Sequence, residues 1–207
     1  MGKIYYVMGK SASGKDTIYK RLVKELPEFG TVRMYTTRPI RDGETNGVEY
    51  IFTDEKQLQT MKDAGKVIEC RTYDTIYGPW SYFTADDGQI DLGSGSYLMM
   101  GTLESYEKLC SYYGAEVMVP LYIHVEDRIR LQRALDRENT QKNPKYAEMC
   151  RRFLADEKDF AKERLDQMSK TGKHQGVIAS AAAYEYAEVE DILNLAREKG
   201  EPPFIFL

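Results

Sequence analysis

A glycine-rich stretch near the start of the chain has the residue types of a phosphate-binding loop. It follows an apolar run, Ile4–Met8, and precedes a segment with apolar residues at helical spacing. In a strand–turn–helix unit of this kind, backbone N–H groups and the positive end of the helix point at an anion. The expected anion-binding residues are Gly9, Lys10, Ser11, Ala12, Ser13, Gly14, Lys15, Asp16 and Thr17, with Lys15 reaching the outer phosphates.

Two further groups of arginines could also bind phosphate. Arg38 and Arg41 lie on an irregular segment that contains Pro39 and Gly43, and guanidinium groups match phosphate oxygens. Arg133, Arg137 and Arg152 belong to two predicted helices joined by a polar loop. A hairpin of that kind can close over a ligand as a lid. In both places the alternative is a solvated segment whose arginines pair with nearby carboxylates.

The elements that would position these groups alternate between strands and helices. This order predicts an α/β fold with a parallel core sheet. Thr31–Thr36 reads as one strand, the strand after Pro120 reads as a buried one, and Glu188–Lys199 reads as a last helix. We predict one domain over 1–207. It consists of a core of 1–33, 86–125 and 169–207, an inserted lobe of 34–85, and a helical lid of 126–168.

Composition and charge narrow the classes of partner and compartment. The net charge of −4 argues against a broad electrostatic grip on nucleic acid. No stretch is apolar over the length that a membrane span requires, and no leader precedes the loop. The three cysteines lie far apart, which suits a reducing cytosol. We therefore expect a cytoplasmic protein without membrane or nucleic-acid partners, either a monomer or a homodimer.

The segment after the first helix carries a specific signature, Thr36-Thr37-Arg38-Pro39-x-Arg41-x-Gly43-Glu44-x-x-Gly47-x-x-Tyr50-x-Phe52. This signature resembles the monophosphate-binding segment of guanylate kinases, whose three-layer fold is that of P-loop NTPases. The resemblance implies ATP and GMP as substrates. It also implies the following roles: Arg38, Arg41, Tyr50 and Tyr77 hold the acceptor phosphate, Glu69 reads the guanine edge, and Lys15, Arg133, Arg137 and Arg152 act on the transferring group.

The chain departs from this family at several positions. Met34 and Pro79 stand where the family has a guanine-contacting serine and a small hydroxyl residue, and Met99 and Gly101 replace two aspartates. Asp16 is similar instead to the loop of ribose 1,5-bisphosphate phosphokinases, a sister family. Our hypothesis is that Asp16 and Thr17 hold Mg²⁺ against the donor phosphates; the alternative is that Asp16 only caps the helix.

Three functions remain open from the sequence. The first is a guanylate kinase that makes GDP and ADP from GMP and ATP with Mg²⁺. The second is a related small-molecule kinase that acts on another nucleoside monophosphate or a ribose bisphosphate, which the changes at Met34 and Pro79 favour and Glu69 opposes. The third is a non-catalytic, peptide-binding module of guanylate-kinase shape, which would not need Gly14, Lys15 or the lid arginines.

Overall fold

The structure is a computed structural model, and it describes residues 2–41, 43–75, 78–161 and, for the backbone alone, 178–181. The chain divides into two compact units. Unit 1 comprises Met1–Tyr6 and Leu22–Val119, and unit 2 comprises Val7–Arg21 and Pro120–Leu207. Within the described residues, no helix combines the length and the apolar character needed to cross a bilayer.

The larger sheet contains five strands, two of which pass through the boundary between the units. The strands are β1 (Ile4–Met8), β2 (Gly30–Thr31), β7 (Tyr97–Gly101), β8 (Met118–Val125) and β9 (Ile178–Ala181). Their order is β2-β7-β1-β8-β9. In unit 1, β2 pairs with β7 in parallel, and in unit 2, β8 pairs with β9 in parallel. The predicted parallel core sheet is confirmed.

A second, four-stranded sheet lies wholly in unit 1. Its strands are β3 (Tyr35–Thr36), β4 (Ile51–Phe52), β5 (Val67–Thr75) and β6 (Gly78–Ala85), in the order β4-β3-β6-β5. Strands β5 and β6 form an antiparallel pair, and β3 pairs antiparallel to β6 and parallel to β4. The predicted monophosphate-binding signature, Thr36 to Phe52, runs from β3 to β4 of this sheet.

Five helices complete the described elements, and they are α1 (Lys15–Glu25), α2 (Glu55–Asp63), α3 (Leu103–Tyr113), α4 (Asp127–Asn139) and α5 (Tyr146–Asp159). Side chains cap the N-termini of α2 and α3. The Asp54 carboxylate accepts the N–H of Gln57, and Thr102 forms a reciprocal capping box with Ser105. These caps fix where α2 and α3 begin.

Apolar packing holds the second sheet against α2. Leu58 and Met61 are buried on one face of that helix, and they pack with Phe83 and Ala85 of β6. The ring of Tyr35 stacks on Phe83 with 4.9 Å between the ring centroids. An irregular loop, described over residues 37–41 and 43–50, follows β3 of this sheet.

Two predictions of secondary structure are wrong, and one lies outside the described residues. Thr31–Thr36 is not one strand, because β2 and β3 are separate two-residue strands that belong to different sheets. Pairing near Pro120 begins before that residue, since the Ile4 N–H donates to the Val117 carbonyl at 3.0 Å. The predicted helix Glu188–Lys199 falls among the residues that the structure does not describe.

Candidate functional site

The glycine-rich loop of unit 2 has the backbone shape that an anion cradle requires. Ala12 and Gly14 both take positive φ angles, 60° and 87°, so the chain curls sharply before α1 begins at Lys15. A side chain at Gly9 would place its Cβ 2.7 Å from the Ile123 carbonyl oxygen, so this position accepts only glycine. The first N–H groups of α1 have no intrahelical partner and therefore face the curl.

Cationic and oxygen-bearing side chains surround this loop. Lys15 is partly exposed, and its Nζ lies 3.6 Å from the Asp16 carboxylate. A Cβ at Gly14 would lie 3.9 Å from an Nη of Arg133, which brings this arginine to the loop. Thr17 is exposed on the first turn of α1. The hydroxyl of Ser13 is buried inside the turn and has no hydrogen-bond partner among the described residues.

The other predicted lid arginines are exposed on α4 and α5. Arg137 lies one turn after Arg133 on α4, so the two share a helix face. Arg152 is half exposed and donates to Glu148 on its own helix at 2.8 Å. Arg151 donates to the same carboxylate, and its hydrogen bond, followed by that of Arg152, lowers the pKa of Glu148 to about 2. The hairpin therefore neutralises part of its own charge.

Lys10, which the sequence assigned to ATP, is already bound within unit 2. Its Nζ lies 2.7 Å from both carboxylate oxygens of Glu157 and 3.7 Å from Asp127. The Lys10 side chain is only 13% exposed, whereas the side chains of Glu157 and Asp127 are 40% and 56% exposed. The structure thus places Lys10 at the outer wall of the loop, next to α5.

In unit 1, Arg38 is buried and bound by two parallel hydrogen bonds to Glu44, the shorter of which is 2.5 Å. Its guanidinium also lies over the rings of Tyr50 and Phe52, 5.2 and 5.1 Å from their centroids. The hydrogen bonds from Arg38 lower the pKa of Glu44 to about 2. The exposed Arg41 donates its backbone N–H to the same carboxylate at 2.9 Å. Glu44 therefore organises the predicted monophosphate-binding segment.

An open groove runs along this segment. Its volume is about 690 Å³, and its lining residues are Thr37, Arg38, Pro39, Ile40, Asn46, Phe52, Thr53, Asp54 and Gln57. The wall combines one cation, Arg38, with hydroxyl and amide groups and with the apolar faces of Ile40 and Phe52. It also contains the Asp54 carboxylate, which accepts the Gln57 N–H. Such a surface can hold an anionic group while its rim stays open to solvent.

Glu69 lies in a second buried group of unit 1. Its side chain is inaccessible to solvent, and it accepts from the Arg71 Nε at 3.0 Å and from the Thr84 hydroxyl at 2.9 Å. Arg71 also donates to Thr102 at 2.8 Å and approaches the sulfur of Met34 at 3.6 Å. The sequence analysis did not single out Arg71, although its position two residues after Glu69 on one strand places both side chains on one face.

The packing around the end of β7 explains why Gly101 stands where the resemblance would place an aspartate. A Cβ at Gly101 would collide with the hydroxyl oxygen of Tyr6, which shares a short hydrogen bond with Ser105. Burial raises the pKa of Tyr6 far above its ordinary value, so the ring remains neutral. The space that a strand-end carboxylate would need is therefore filled by a phenol. Tyr77, the last predicted acceptor-site residue, lies outside the described residues.

A divalent cation fits the loop only with the help of phosphate oxygens. Among the described residues, no group of three His, Cys, Asp or Glu side chains is arranged to hold a metal ion. Asp16 offers one carboxylate whose side chain is 68% exposed, and Thr17 offers a hydroxyl beside it. Mg²⁺ is commonly bound by one or two protein oxygens together with substrate phosphates and water. The carboxylate of Asp16 and the hydroxyl of Thr17 are therefore suitable protein ligands for Mg²⁺.

Comparison with known proteins finds a family similarity in the first part of the chain. Residues 1–81 match the family model for guanylate kinase, and they contain both the loop and the segment with Arg38, Arg41 and Tyr50. This part of the chain is similar to the guanylate kinase family. A second family model, RNA 2′-O ribose methyltransferase substrate binding, matches residues 131–187. The structure describes 131–161 of this stretch and, after that, the backbone of 178–181.

Individual relatives agree with the first assignment over different lengths. A guanylate kinase from Legionella pneumophila (strain Lens) is 37% identical over 78 residues, which cover 37% of this chain and 37% of that protein. The chain thus matches little more than a third of that relative's length. A guanylate kinase from Photorhabdus laumondii is 26% identical over 201 residues, which cover 94% of this chain and 83% of the relative.

The fold is that of guanylate kinase. The crystal structure of guanylate kinase from Anaplasma phagocytophilum superposes with a TM-score of 0.52 and 19% sequence identity. The superposition covers 96% of this chain and 86% of that structure. At this level of identity the likeness establishes the architecture, which is the P-loop NTPase fold expected from the sequence.

Proposed function

We propose that this protein is a guanylate kinase, which transfers a phosphoryl group from ATP to GMP and gives GDP and ADP. One observation carries the proposal: the part of the chain that matches the guanylate kinase family model contains both anion-binding segments. Phosphoryl transfer asks a protein mainly to align donor and acceptor and to stabilise charge, and both segments are built for that task. The other acceptors considered from the sequence receive no support from the comparisons.

The donor phosphates would lie in the curl between Gly9 and Lys15. The N–H groups at the start of α1 donate to the phosphate oxygens, and Lys15 stabilises the charge on the outer phosphates. Its nearest carboxylate, Asp16, stands at 3.6 Å and is well exposed, so Lys15 can turn to a phosphate at low cost. Arg133 and Arg137 on α4 and Arg152 on α5 add positive charge as transfer proceeds.

The acceptor phosphate would be held in unit 1 by Arg38, Arg41 and Tyr50. Glu44 fixes the Arg38 guanidinium, whose remaining N–H groups then have a defined direction. Tyr77 is proposed to assist. Reading of the guanine edge by Glu69 requires this buried carboxylate to become accessible, because Arg71 and Thr84 already donate to it.

Asp16 and Thr17 are proposed to hold Mg²⁺ against the donor phosphates. When bound, the ion neutralises charge on the transferring group. Asp16→Asn should raise the Mg²⁺ concentration needed for half-maximal activity by about tenfold, because one charged ligand is lost. An unchanged magnesium requirement would assign Asp16 to capping of α1 alone. Lys20→Met, on the exposed face of the same helix, is the matched control.

The decisive experiment measures ADP release from ATP–Mg²⁺ with a panel of acceptors. GMP, dGMP, AMP, UMP and phosphorylated riboses are compared at equal concentrations. We expect turnover with GMP to exceed that with AMP and UMP by at least about a hundredfold, since a site built to bond one base edge rejects the others. Activity with only a phosphorylated ribose, or none at all, would overturn the proposal. Gel filtration with the same assay on each fraction tells whether the active species is a monomer or a homodimer. A cytoplasmic location is also part of this proposal.

A second candidate function concerns residues 131–187. Their match to the substrate-binding segment of RNA 2′-O ribose methyltransferases is the observation that favours it. We propose that this stretch also binds RNA, independently of the kinase site. The net charge of −4 opposes such binding. Fluorescence anisotropy with a labelled ribosomal RNA hairpin at 50 and 200 mM salt tests it, and no binding at the lower salt would dismiss it.

A further inference from the structure

A fully buried arginine in unit 2 contacts the phosphate loop, and no role has been given to it so far. Arg130 on α4 has no solvent-exposed side-chain surface. It donates to Asp127 at 2.6 Å and to Glu157 at 2.9 Å, and its Nη1 lies 3.5 Å from Asp156. Its guanidinium also lies 4.5 Å from the centroid of the Phe153 ring. Every face of this cation is therefore bound within α4 and α5 or by the loop.

The contacts of this group with the loop fall on the backbone of one residue. The Ser11 carbonyl accepts from the Arg130 Nη1 at 3.1 Å. The Ser11 N–H donates to the Asp156 carboxylate at 2.7 Å. Both hydrogen-bonding groups of the Ser11 backbone are thus held by side chains of the two helices. Because Ala12 follows with a φ of 60°, the curl starts from a fixed residue.

The charges explain why the arrangement is stable. Arg130 and Lys10 supply two positive charges, and Asp127, Asp156 and Glu157 supply three negative ones. A buried arginine requires carboxylate partners with good geometry, and here it has them. The cluster therefore carries one excess negative charge, and its Asp127 side chain is more than half exposed. The net negative charge of this cluster disfavours an anionic ligand beside it.

We propose that Arg130 is the positioning residue of the phosphate loop. It holds the Ser11 carbonyl directly, and with Asp156 it holds the Ser11 N–H, so that the N–H groups after Ala12 keep a fixed direction toward the donor phosphates. The inference rests on the proposed function for the identity of the donor. It assigns to Arg130 no contact with substrate.

The test compares variants that change the hold on Ser11 in different ways. Arg130→Lys keeps a positive charge but cannot reach the Ser11 carbonyl and the carboxylates together, because its ammonium is a single point. Asp156→Ala removes the acceptor of the Ser11 N–H, and Asp156→Asn keeps an oxygen there. Arg151→Met, which breaks a pair with Glu148 on the exposed side of α5, is the matched control.

Two readouts separate positioning from mere stabilisation. KM for ATP should rise about tenfold or more in Arg130→Lys and Asp156→Ala, with KM for GMP changed less than twofold, because only the donor loop is displaced. Asp156→Asn should restore KM for ATP to within about threefold of the starting protein, since the Ser11 N–H again has an acceptor. Arg151→Met should leave both constants unchanged.

The opposite pattern would overturn the inference. A lower Tm with KM for ATP unchanged, or equal increases for ATP and GMP, would make Arg130 a structural residue only. Calorimetric titration with ADP gives the same comparison without turnover. If the unaltered protein binds ADP but phosphorylates no acceptor, the proposed function fails while a weaker ADP affinity in Arg130→Lys still supports positioning. If the unaltered protein binds no ADP, both proposals fall.

Discussion

The buried arginines of unit 1 and the exposed arginines of α5 differ in how their carboxylate partners hold them. Arg38 and Arg71 have side chains that are 3% and 6% exposed, and each is bound through two of its nitrogens by one glutamate of unit 1. Arg151 and Arg152 are 62% and 50% exposed, and both share Glu148 on their own helix. The first pairs are part of the folded core, and the second lie in water.

This difference predicts which cations can exchange a carboxylate for a phosphate. A buried pair loses several kcal/mol if one partner is removed, because the other charge remains buried. An exposed pair contributes at most about 1 kcal/mol and is screened by salt. Arg152 can therefore leave Glu148 for a transferring phosphate at little cost, whereas Arg38 would bind a phosphate without leaving Glu44.

The largest expected effect is on the stability of unit 1. Arg71→Met should lower the free energy of unfolding by about 3–5 kcal/mol, since the Glu69 carboxylate stays buried with only Thr84 as donor. Chemical denaturation monitored by circular dichroism measures this. The double variant Glu69→Leu/Arg71→Met should recover most of the loss. A change below about 1 kcal/mol in the single variant would remove the distinction between the two regions.

The next effect is on catalysis in unit 2. Lys15→Met should lower kcat for phosphoryl transfer by about 100- to 1,000-fold, because it removes a preorganised positive charge at the donor phosphates. The free energy of unfolding should stay within about 0.5 kcal/mol, since the pair of Lys15 with Asp16 is long, at 3.6 Å, and the Asp16 side chain is 68% exposed. Lys24→Met, on the exposed face of α1, controls for loss of one charge. Equal rates in the two variants would contradict the role of the loop.

A smaller effect is expected at Arg152. Arg152→Met should reduce kcat by about 10- to 100-fold, the equivalent of one charge-assisted hydrogen bond lost in the transition state. Stability should not change measurably, in contrast to Arg71→Met. Arg151→Met, which breaks the neighbouring pair with Glu148, should leave kcat as it is. If both variants lose activity equally, Arg152 acts only through the charge of α5.

The local elements could be predicted from the sequence because their signals are local. The strand, loop and start of α1 follow one another within a short stretch, and the caps at Asp54 and Thr102 depend on the following three residues. Thr31–Thr36 was misread because β propensity does not tell to which sheet a residue pairs. Residues rich in β-branched and aromatic types satisfied the strand pattern while the chain passed from one sheet to the other.

The candidate site divides in the same way. The loop and the Arg38–Glu44 pair lie within segments that a motif covers. Arg71 was visible in principle, since it shares a strand face with Glu69. Arg130 was not, because its partners Ser11 and Asp156 are 119 and 26 residues away along the chain. Helical periodicity placed Arg130 among the several arginines of α4 and could not show that, of these, Arg130 alone is buried.

The smallest effect compares two glutamates whose pKa values are lowered equally, to about 2, in the two regions. Hydrogen bonds from Arg38 lower the pKa of Glu44, and hydrogen bonds from Arg151 and then Arg152 lower that of Glu148. A carboxyl with a lowered pKa in the folded state stabilises the protein above its unfolded pKa of about 4.3, and this contribution is lost as the pH falls toward 2. Both glutamates therefore act in the same acid window.

Their contributions should nevertheless differ, because solvent screens only one of them. The Glu44 side chain is 17% exposed and faces a buried guanidinium, whereas that of Glu148 is 36% exposed and faces two exposed ones. Glu44→Gln should remove roughly 1–2 kcal/mol of the stability lost between pH 5 and pH 2, and Glu148→Gln less than about 1 kcal/mol. Urea denaturation at half-unit steps of pH measures both slopes. Equal slopes would mean that the buried pair is no more fixed than the exposed one, and that the lobe arginines exchange partners as freely as those of α5.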